Sequence, residues 1–306
     1  MQPMEQTYPK LDALRAKARA KGRLTVSVAY PCSNDSLAAA LSARDDGVID
    51  PILVGPRSRM QACADALQVS LDGVRVVEAP DDPVKASRAA VALVSSGEAK
   101  ALMKGSQHSD QLLAAALTRE ADLRTGRRMS HVFWFDLPNY HKPLMVTDAV
   151  VNIAPTLQEK VDILHNAIEL SHAIGLPEPK IALLSAIETV SVGHVSSMDA
   201  AALSKMADRG QIPGAIIDGP LAFDNAISAA SAANKGIDSP VAGDPDMLLV
   251  PNLDVGNVLY KSFIYMGRGE CAGLVLGAKV PIILTSRSDS RRARVASCAL
   301  AQLSLG

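Results

Sequence analysis

The chain has 306 residues, of which 48% are hydrophobic and 21% charged, and its formal net charge is −1. That balance can fill large interiors, and the length is long for one core, so two domains are expected. Near-neutral charge and only 3% aromatic residues give neither the basic face nor the stacking rings of a nucleic-acid reader, and no stretch approaches a membrane span.

The first residues, "MQPMEQTYPKLDALRAKARAKGR", hold no apolar run of signal-peptide length, which predicts a cytoplasmic protein. Strands are predicted at "RLTVSVAY" (23–30), "PILVG" (51–55), "VRVVEA" (74–79) and "KALMKG" (100–105), each followed by a helical segment. Next come "SHVFWFDL" and "PLMVTDAVV", close enough in sequence to be neighbours. The later strands are "KIALLSA" (180–186), "GAIIDG" (214–219), "DMLLVPN" (246–252), "GLVLGA" (273–278) and "PIILTS" (281–286). Short strands alternating with longer helices are the sequence form of βαβ units, so an α/β fold with mostly parallel sheets is expected. The rhythm lapses across "READLRTGRRMSHVFWFDLPNYHKPLMV", and a domain crossing is placed there. A first α/β domain is expected from 1–130 plus a returning 288–306, and a second from 131–287. The four cysteines, Cys32, Cys63, Cys271 and Cys298, form no CxxC pair. Buried thiols are expected of them, and no metal site or disulfide framework.

In parallel α/β folds ligands gather where strand ends meet helix starts, so the residues just after each strand are the informative ones. Lys104, Gly105 and Ser106 together read as an anion site, a glycine letting backbone N–H groups approach and a lysine adding charge. The alternative is a helix cap at Ser106 or Ser109, with His108 an exposed loop residue. After "IID", Asp218 ends a strand and Asp224 enters the first helical turn. Paired carboxylates hold metals or move protons. Asp224 also suits the helix dipole, Asn225 suits turn bonds, and no third hard ligand follows, so metal is disfavoured. After "LLV", Asn252 is placed to cap a helix whose first turns hold Gly256 and Asn257, the glycine implying close packing or ligand approach. Arg124, Arg127 and Arg128 surround Gly126, with Ser130 and His131 beside them. That segment reads equally as an anion loop or a wet surface turn, with His131 a satisfied strand-end histidine.

The last junction, "TSRSDS", places Ser286, Arg287, Ser288 and Asp289 between a strand and a helix. Ser288 and Asp289 resemble caps. Arg287 does not, because a cation before a helix N-terminus gains nothing there without an anion. Arg291, Arg292 and Arg294 are expected on the wet side of the final helix. There is no GxGxxG after the first strand, no GxxxxGK[ST] and no GxSxG, so dinucleotide, P-loop and serine-elbow chemistry lose their usual signals.

Six blocks, "ALMKG", "LRTGRRMSHV", "DAVVNIAPTLQEKVDIL", "DGPLAFDNAIS", "LLVPNLDVGNVLYKS" and "GAKVPIILTSRSDS", occur in the order in which they resemble the phosphate acetyl/butyryltransferase family, most closely its butyryltransferase-like branch. The resemblance implies two α/β/α domains of isocitrate dehydrogenase-like fold with an interdomain cleft. It also implies reversible acyl transfer between coenzyme A and inorganic phosphate. The family's serine–arginine pair falls on Ser286 and Arg287. An aspartate seven residues beyond that serine in acetyltransferase-type members is replaced here by Ala293, and the helix after "KGSQHS" supplies no arginine before Arg119. Both departures point to butyryl or branched acyl groups.

On that reading Arg287 binds phosphate, Ser286 donates to the tetrahedral oxyanion, and Asp289 or Asp218 exchanges a proton with the thiol. Lys104 and Arg124 bind phosphate groups, and Gly105, Ser106, Ser130, Asn225, Asn252 and Asn257 complete the substrate contacts. Coenzyme A enters as substrate, with no tightly bound cofactor, and a homodimer or higher homo-oligomer is expected. Two alternatives stand beside it. One is an NAD(P)-dependent, metal-assisted dehydrogenase using Asp218 and Asp224; the other is a regulator that binds coenzyme A without turnover.

Overall fold

The computed structural model describes residues 6–284 and 289–306. The chain opens with α1 (Pro9–Ala20), β1 (Leu24–Ala29), α2 (Asn34–Asp45), β2 (Ile49–Gly55), α3 (Arg57–Leu67), β3 (Arg75–Glu78), α4 (Pro83–Ser95), β4 (Ala101–Lys104) and α5 (Ser109–Ala116). Helix starts follow local chemistry. Ser33 caps α2 in a reciprocal box with Ser36, and Asp82 accepts from the N–H groups of Val84 and Lys85 before α4, whose first residue is Pro83.

The middle of the chain gives β5 (Ser130–Asp136), β6 (Leu144–Thr147), α6 (Leu157–Ala173), β7 (Lys180–Leu184), α7 (Val195–Asp208), β8 (Ile216–Leu221), α8 (Phe223–Ile227), α9 (Ala229–Asn234), β9 (Met247–Leu249) and α10 (Leu253–Tyr265). The remainder is β10 (Glu270–Leu276), β11 (Ile282–Ile283) and α11 (Arg291–Ser304). Among the described residues no helix is long and apolar enough to cross a membrane.

Two compact units result. One comprises Leu11–Arg127 and Ala272–Gly306; the other comprises Arg128–Cys271 with the N-terminal residues through Lys10. In the first, the strands run in the order β3-β2-β1-β4-β11-β10, all pairs parallel except β10 with β11. In the second the order is β5-β6-β9-β7-β8, with only β5 and β6 antiparallel. Strands buried on both faces need apolar side chains on both, which is why "ILV" in β2 and "ALM" in β4 run without alternation. Ser27 satisfies its hydroxyl inside β1 by donating to the Ala90 carbonyl at 2.9 Å.

The few aromatic residues are concentrated in the second unit. Phe133 of β5 stacks on Tyr260 of α10 at 4.2 Å between centroids, and Phe135 meets Phe263 edge-on at 5.2 Å. Gly256 lets α10 come this close, since a Cβ there would lie 2.8 Å from the Ala149 Cα.

Several local expectations change. Strand β8 runs to Leu221, so Asp218 sits within a strand and not at its end. His131 is buried, and among the described residues neither ring nitrogen has a hydrogen-bond partner, so it is not a satisfied strand-end histidine. Arg294 is not on a wet face. It is 8% exposed and donates to the Asp35 carbonyl at 2.6 Å, because α11 buries an almost continuous run from Ala293 to Ala301.

Candidate functional site

Each unit has one place where strand order reverses, and each such place is hollow. In the first unit the chain moves outward from β1 through β2 to β3, then crosses back to β4 on the other side of β1. In the second it moves from β7 to β8, then returns to β9 on the other side of β7. At such a switch point neighbouring loops part in opposite directions and leave a crevice beyond the carboxyl ends of the strands.

The first unit's crevice is a recess of about 440 Å³ lined by Tyr30, Cys32, Ser33, Asp35, Ser36, Arg59, Lys104, Gly105, Ser106 and Arg294. Three of the predicted substrate residues, Lys104, Gly105 and Ser106, meet here. Lys104 ends β4 only 8% exposed, and its Nζ donates to the Gln107 carbonyl at 3.2 Å. Gly105 is required by space: a Cβ would stand 2.2 Å from the Ala29 carbonyl oxygen and 2.5 Å from that of Tyr30. That contact lets the Ser106 N–H and hydroxyl both donate to the Tyr30 carbonyl, at 3.0 and 2.9 Å. Tyr30 itself has φ of +48°, the left-handed region, which turns the chain sharply out of β1.

The Tyr30 hydroxyl donates to Asp81, and Arg59 bonds both, at 2.6 Å to the hydroxyl and 2.9 Å to the carboxylate. These two donors hold the Asp81 carboxyl below its usual range, the Tyr30 hydroxyl contributing most. Burial, then the bond to Asp81, pushes the Tyr30 phenol up to about 12, and burial pushes the Cys32 thiol up to about 12. Both therefore stay protonated near neutrality, and the recess gathers hydroxyls and cations of which several already donate within the protein: Tyr30 to Asp81, Ser106 to the Tyr30 carbonyl and Lys104 to the Gln107 carbonyl.

The second unit's crevice is larger, about 1070 Å³, and mostly apolar. It lies beyond β7 and β9, among the starts of α6, α7 and α10. Its polar lining includes the Lys160–Asp199 ion pair at 2.7 Å, the Ser185–Ser196 hydroxyl pair at 3.0 Å, and Asn252, which caps α10 through the Val255 N–H at 3.0 Å, together with Thr156, His194, Asp254 and Ser262.

The remaining predicted residues are dispersed. Ser286 and Arg287 lie outside the described residues. Asp289 is half-buried two residues before α11, where Ser290 supplies the cap. Arg124 is exposed and forms an isolated bridge with Ala278. Ser130 is fully buried and accepts from the Asn166 amide at 3.0 Å. Asn225 is likewise buried, donating to Glu188 at 3.3 Å and accepting from Ser231 at 3.2 Å. Asp218 is half-buried on an edge strand, and Asn257 is half-buried on the second turn of α10. Arg128 is committed to Asn152 at 2.7 Å and Glu159 at 2.9 Å. Asp224 bonds Ser231 at 2.7 Å and pairs with Lys235 at 3.4 Å. Among the described residues no three metal-ligating side chains cluster.

Sequence reasoning passed over Tyr30 and Arg59. The segment "YPCSND" directly follows β1 and obeys the same strand-end rule as the loops after β4 and β9, so Tyr30 carries a local sequence signal. Arg59 carries none, because it reaches the recess from a helix whose own loop looks ordinary.

Comparison with known proteins places this geometry among relatives. The family model described as phosphate acetyl/butaryl transferase matches residues 82–302. A phosphate acetyltransferase of Rhizobium meliloti is 48% identical over 96% of this chain and 93% of its own length. A phosphate butyryltransferase of Clostridium acetobutylicum is 39% identical over 95% of this chain and 96% of its own. Among solved structures, a branched-chain phosphotransacylase from Enterococcus faecalis V583 superposes with a TM-score of 0.82 at 33% identity, covering 92% of this chain and 99% of that one.

Proposed function

The chain belongs to the phosphate acetyl/butyryltransferase family, and from that premise we propose that it transfers a short-chain acyl group reversibly between coenzyme A and inorganic phosphate. A phosphate oxygen attacks the thioester carbonyl carbon, the tetrahedral oxyanion collapses with cleavage of the carbon–sulfur bond, and the proton of the phosphate goes to the departing thiolate. The products are acyl phosphate and coenzyme A. Nothing in this exchange requires a covalent enzyme intermediate; it requires two anionic reactants held together and a developing oxyanion stabilised by fixed donors.

The observation that carries the reading is the donor-rich recess at the first unit's switch point, where Lys104 and the Gly105–Ser106 turn stand at the end of β4. Lys104 supplies charge, and Gly105 and Ser106 shape the loop an oxyanion meets. Arg287 is proposed to bind the transferred phosphate, Ser286 to donate to the oxyanion, Asp289 to exchange the proton, and Arg124 to contact a phosphate of coenzyme A. Butyryl or branched acyl groups are the proposed substrates, although the acetyltransferase-named relative is the more similar of the two compared above. Thiol release from acetyl-, butyryl- and isobutyryl-coenzyme A, with and without inorganic phosphate, tests both points. Phosphate-dependent release supports the activity, its rank order gives the acyl group, and absence of release from all three overturns the reading.

A homodimer formed through the second unit is also proposed. Tyr265 and Met266 at the end of α10 are 71% and 84% exposed, and Val192, Val195 and Val258 are further exposed apolar side chains of the same unit. Light scattering of the intact chain at the mass of a monomer would remove that proposal.

A further inference from the structure

The recess contains a cation to which the proposed chemistry gives no task. Arg59 lies in the first turn of α3, 48% exposed at its side chain, with one terminal nitrogen bonded to the Tyr30 hydroxyl at 2.6 Å and to Asp81 at 2.9 Å. Its guanidinium carbon stands 5.5 Å from the centroid of the Tyr30 ring. Exposed arginines usually sample many rotamers, and fixing one costs side-chain entropy. Here an aromatic face, a buried phenol and a carboxylate all restrain the same group. The restraint consumes a single nitrogen: among the described residues, Nε and the second terminal nitrogen make no hydrogen bond. A planar guanidinium held by one corner presents its other edge as a two-pronged donor, the geometry that matches phosphate oxygens.

The charge around it agrees. Among the described lining residues, Arg59, Lys104 and Arg294 are cations and Asp35 is the one carboxylate. Asp81 lies outside the lining and is already paired with Arg59. Resting on the acyl-transfer reading of this recess, we propose that Arg59 is a ligand of a phosphate dianion in it, positioned by Tyr30 and Asp81. Inorganic phosphate and the 3′-phosphate of coenzyme A share that chemistry, and the test separates them.

Arg59→Gln in the full chain removes the charge at an exposed position, and its circular dichroism spectrum and melting temperature are compared with wild type before the kinetics are read. Steady-state kinetics are measured with inorganic phosphate varied, and in reverse with coenzyme A and dephospho-coenzyme A varied. The expected result is a KM raised by about tenfold or more for one phosphate-bearing substrate, with kcat changed by less than about threefold and partial recovery in Arg59→Lys. A rise confined to inorganic phosphate identifies orthophosphate; a rise for coenzyme A but not for dephospho-coenzyme A identifies the 3′-phosphate. KM values within about twofold of wild type for both overturn the proposal. If the wild-type protein releases no thiol, the functional reading fails separately. Calorimetric titration of wild type and Arg59→Gln with phosphate and with coenzyme A then decides the inference: weaker binding by the variant supports it, and equal binding overturns it.

Discussion

Replacing His131 with leucine removes a ring that the fold surrounds but does not satisfy. The imidazole is 0% exposed, packs edge-on against Phe133 at 4.3 Å, and among the described residues bonds no partner through either nitrogen. Burial alone, with no charged neighbour contributing, drives its pKa down to about 3. The unfolded chain takes up a proton as the pH falls through about 6.5, whereas the folded chain stays neutral until far lower. Stability is therefore present above about 6.5 and is lost progressively as the pH falls from there toward 3. Integrated from pH 7 to pH 5, one such group accounts for about 2 kcal/mol. Leucine has similar volume and does not titrate, so His131→Leu lacks this component, while the carboxylates contribute equally to both proteins and cancel. At pH 7 the variant is expected to be equal to wild type or more stable by about 1–2 kcal/mol, because an unsatisfied buried polar group has been deleted. Urea unfolding followed by circular dichroism at pH 7 and pH 5 measures both quantities. A variant whose stability falls between the two pH values by as much as wild type does, within about 0.5 kcal/mol, refutes the reasoning.

Two further predictions concern the walls of the crevices. Gly105→Ala forces a methyl group against two carbonyl oxygens at 2.2 and 2.5 Å, which should cost about 3 kcal/mol and lower the melting temperature; a variant that melts with wild type contradicts the close approach. Asp199→Ala leaves the buried Lys160 ammonium without its carboxylate, 2.7 Å away in wild type, and should destabilise by about 3 kcal/mol. The double substitution Lys160→Met with Asp199→Leu should recover most of that loss in the same denaturation assay. A double variant no better than the single one would show that the charge imbalance is not the cause.

The repeating strand–helix pattern was legible because buried parallel strands and amphipathic helices write their periods directly into composition. Caps were legible for the same local reason, as Asn252 before α10 illustrates. What escaped was tertiary. Arg294 looks wet beside Arg291 and Arg292, yet α11 is enclosed over most of its length, and enclosure on all sides leaves no helical period to read. Asp218 looks like a strand end because Gly219 and Pro220 follow it, but pairing with β7 carries the strand through them to Leu221, with an irregular register. The partnership of Tyr30, Arg59 and Asp81 joins three loops or helices separated by twenty or more positions. Strand order alone brings them to one crevice, and strand order has no local signature.

The Tyr30 carbonyl receives three donors, the Cys32 N–H at 2.8 Å as well as both groups of Ser106. This knot ties the segment after β1 to the segment after β4, so the two lips of the recess cannot drift apart independently. On the proposed reading an incoming anion finds its berth already assembled and spends little of its affinity on ordering the main chain. What that anion would displace is water around the cationic heads, and added salt, by screening the exposed guanidinium of Arg59, would loosen the crevice's hold on it.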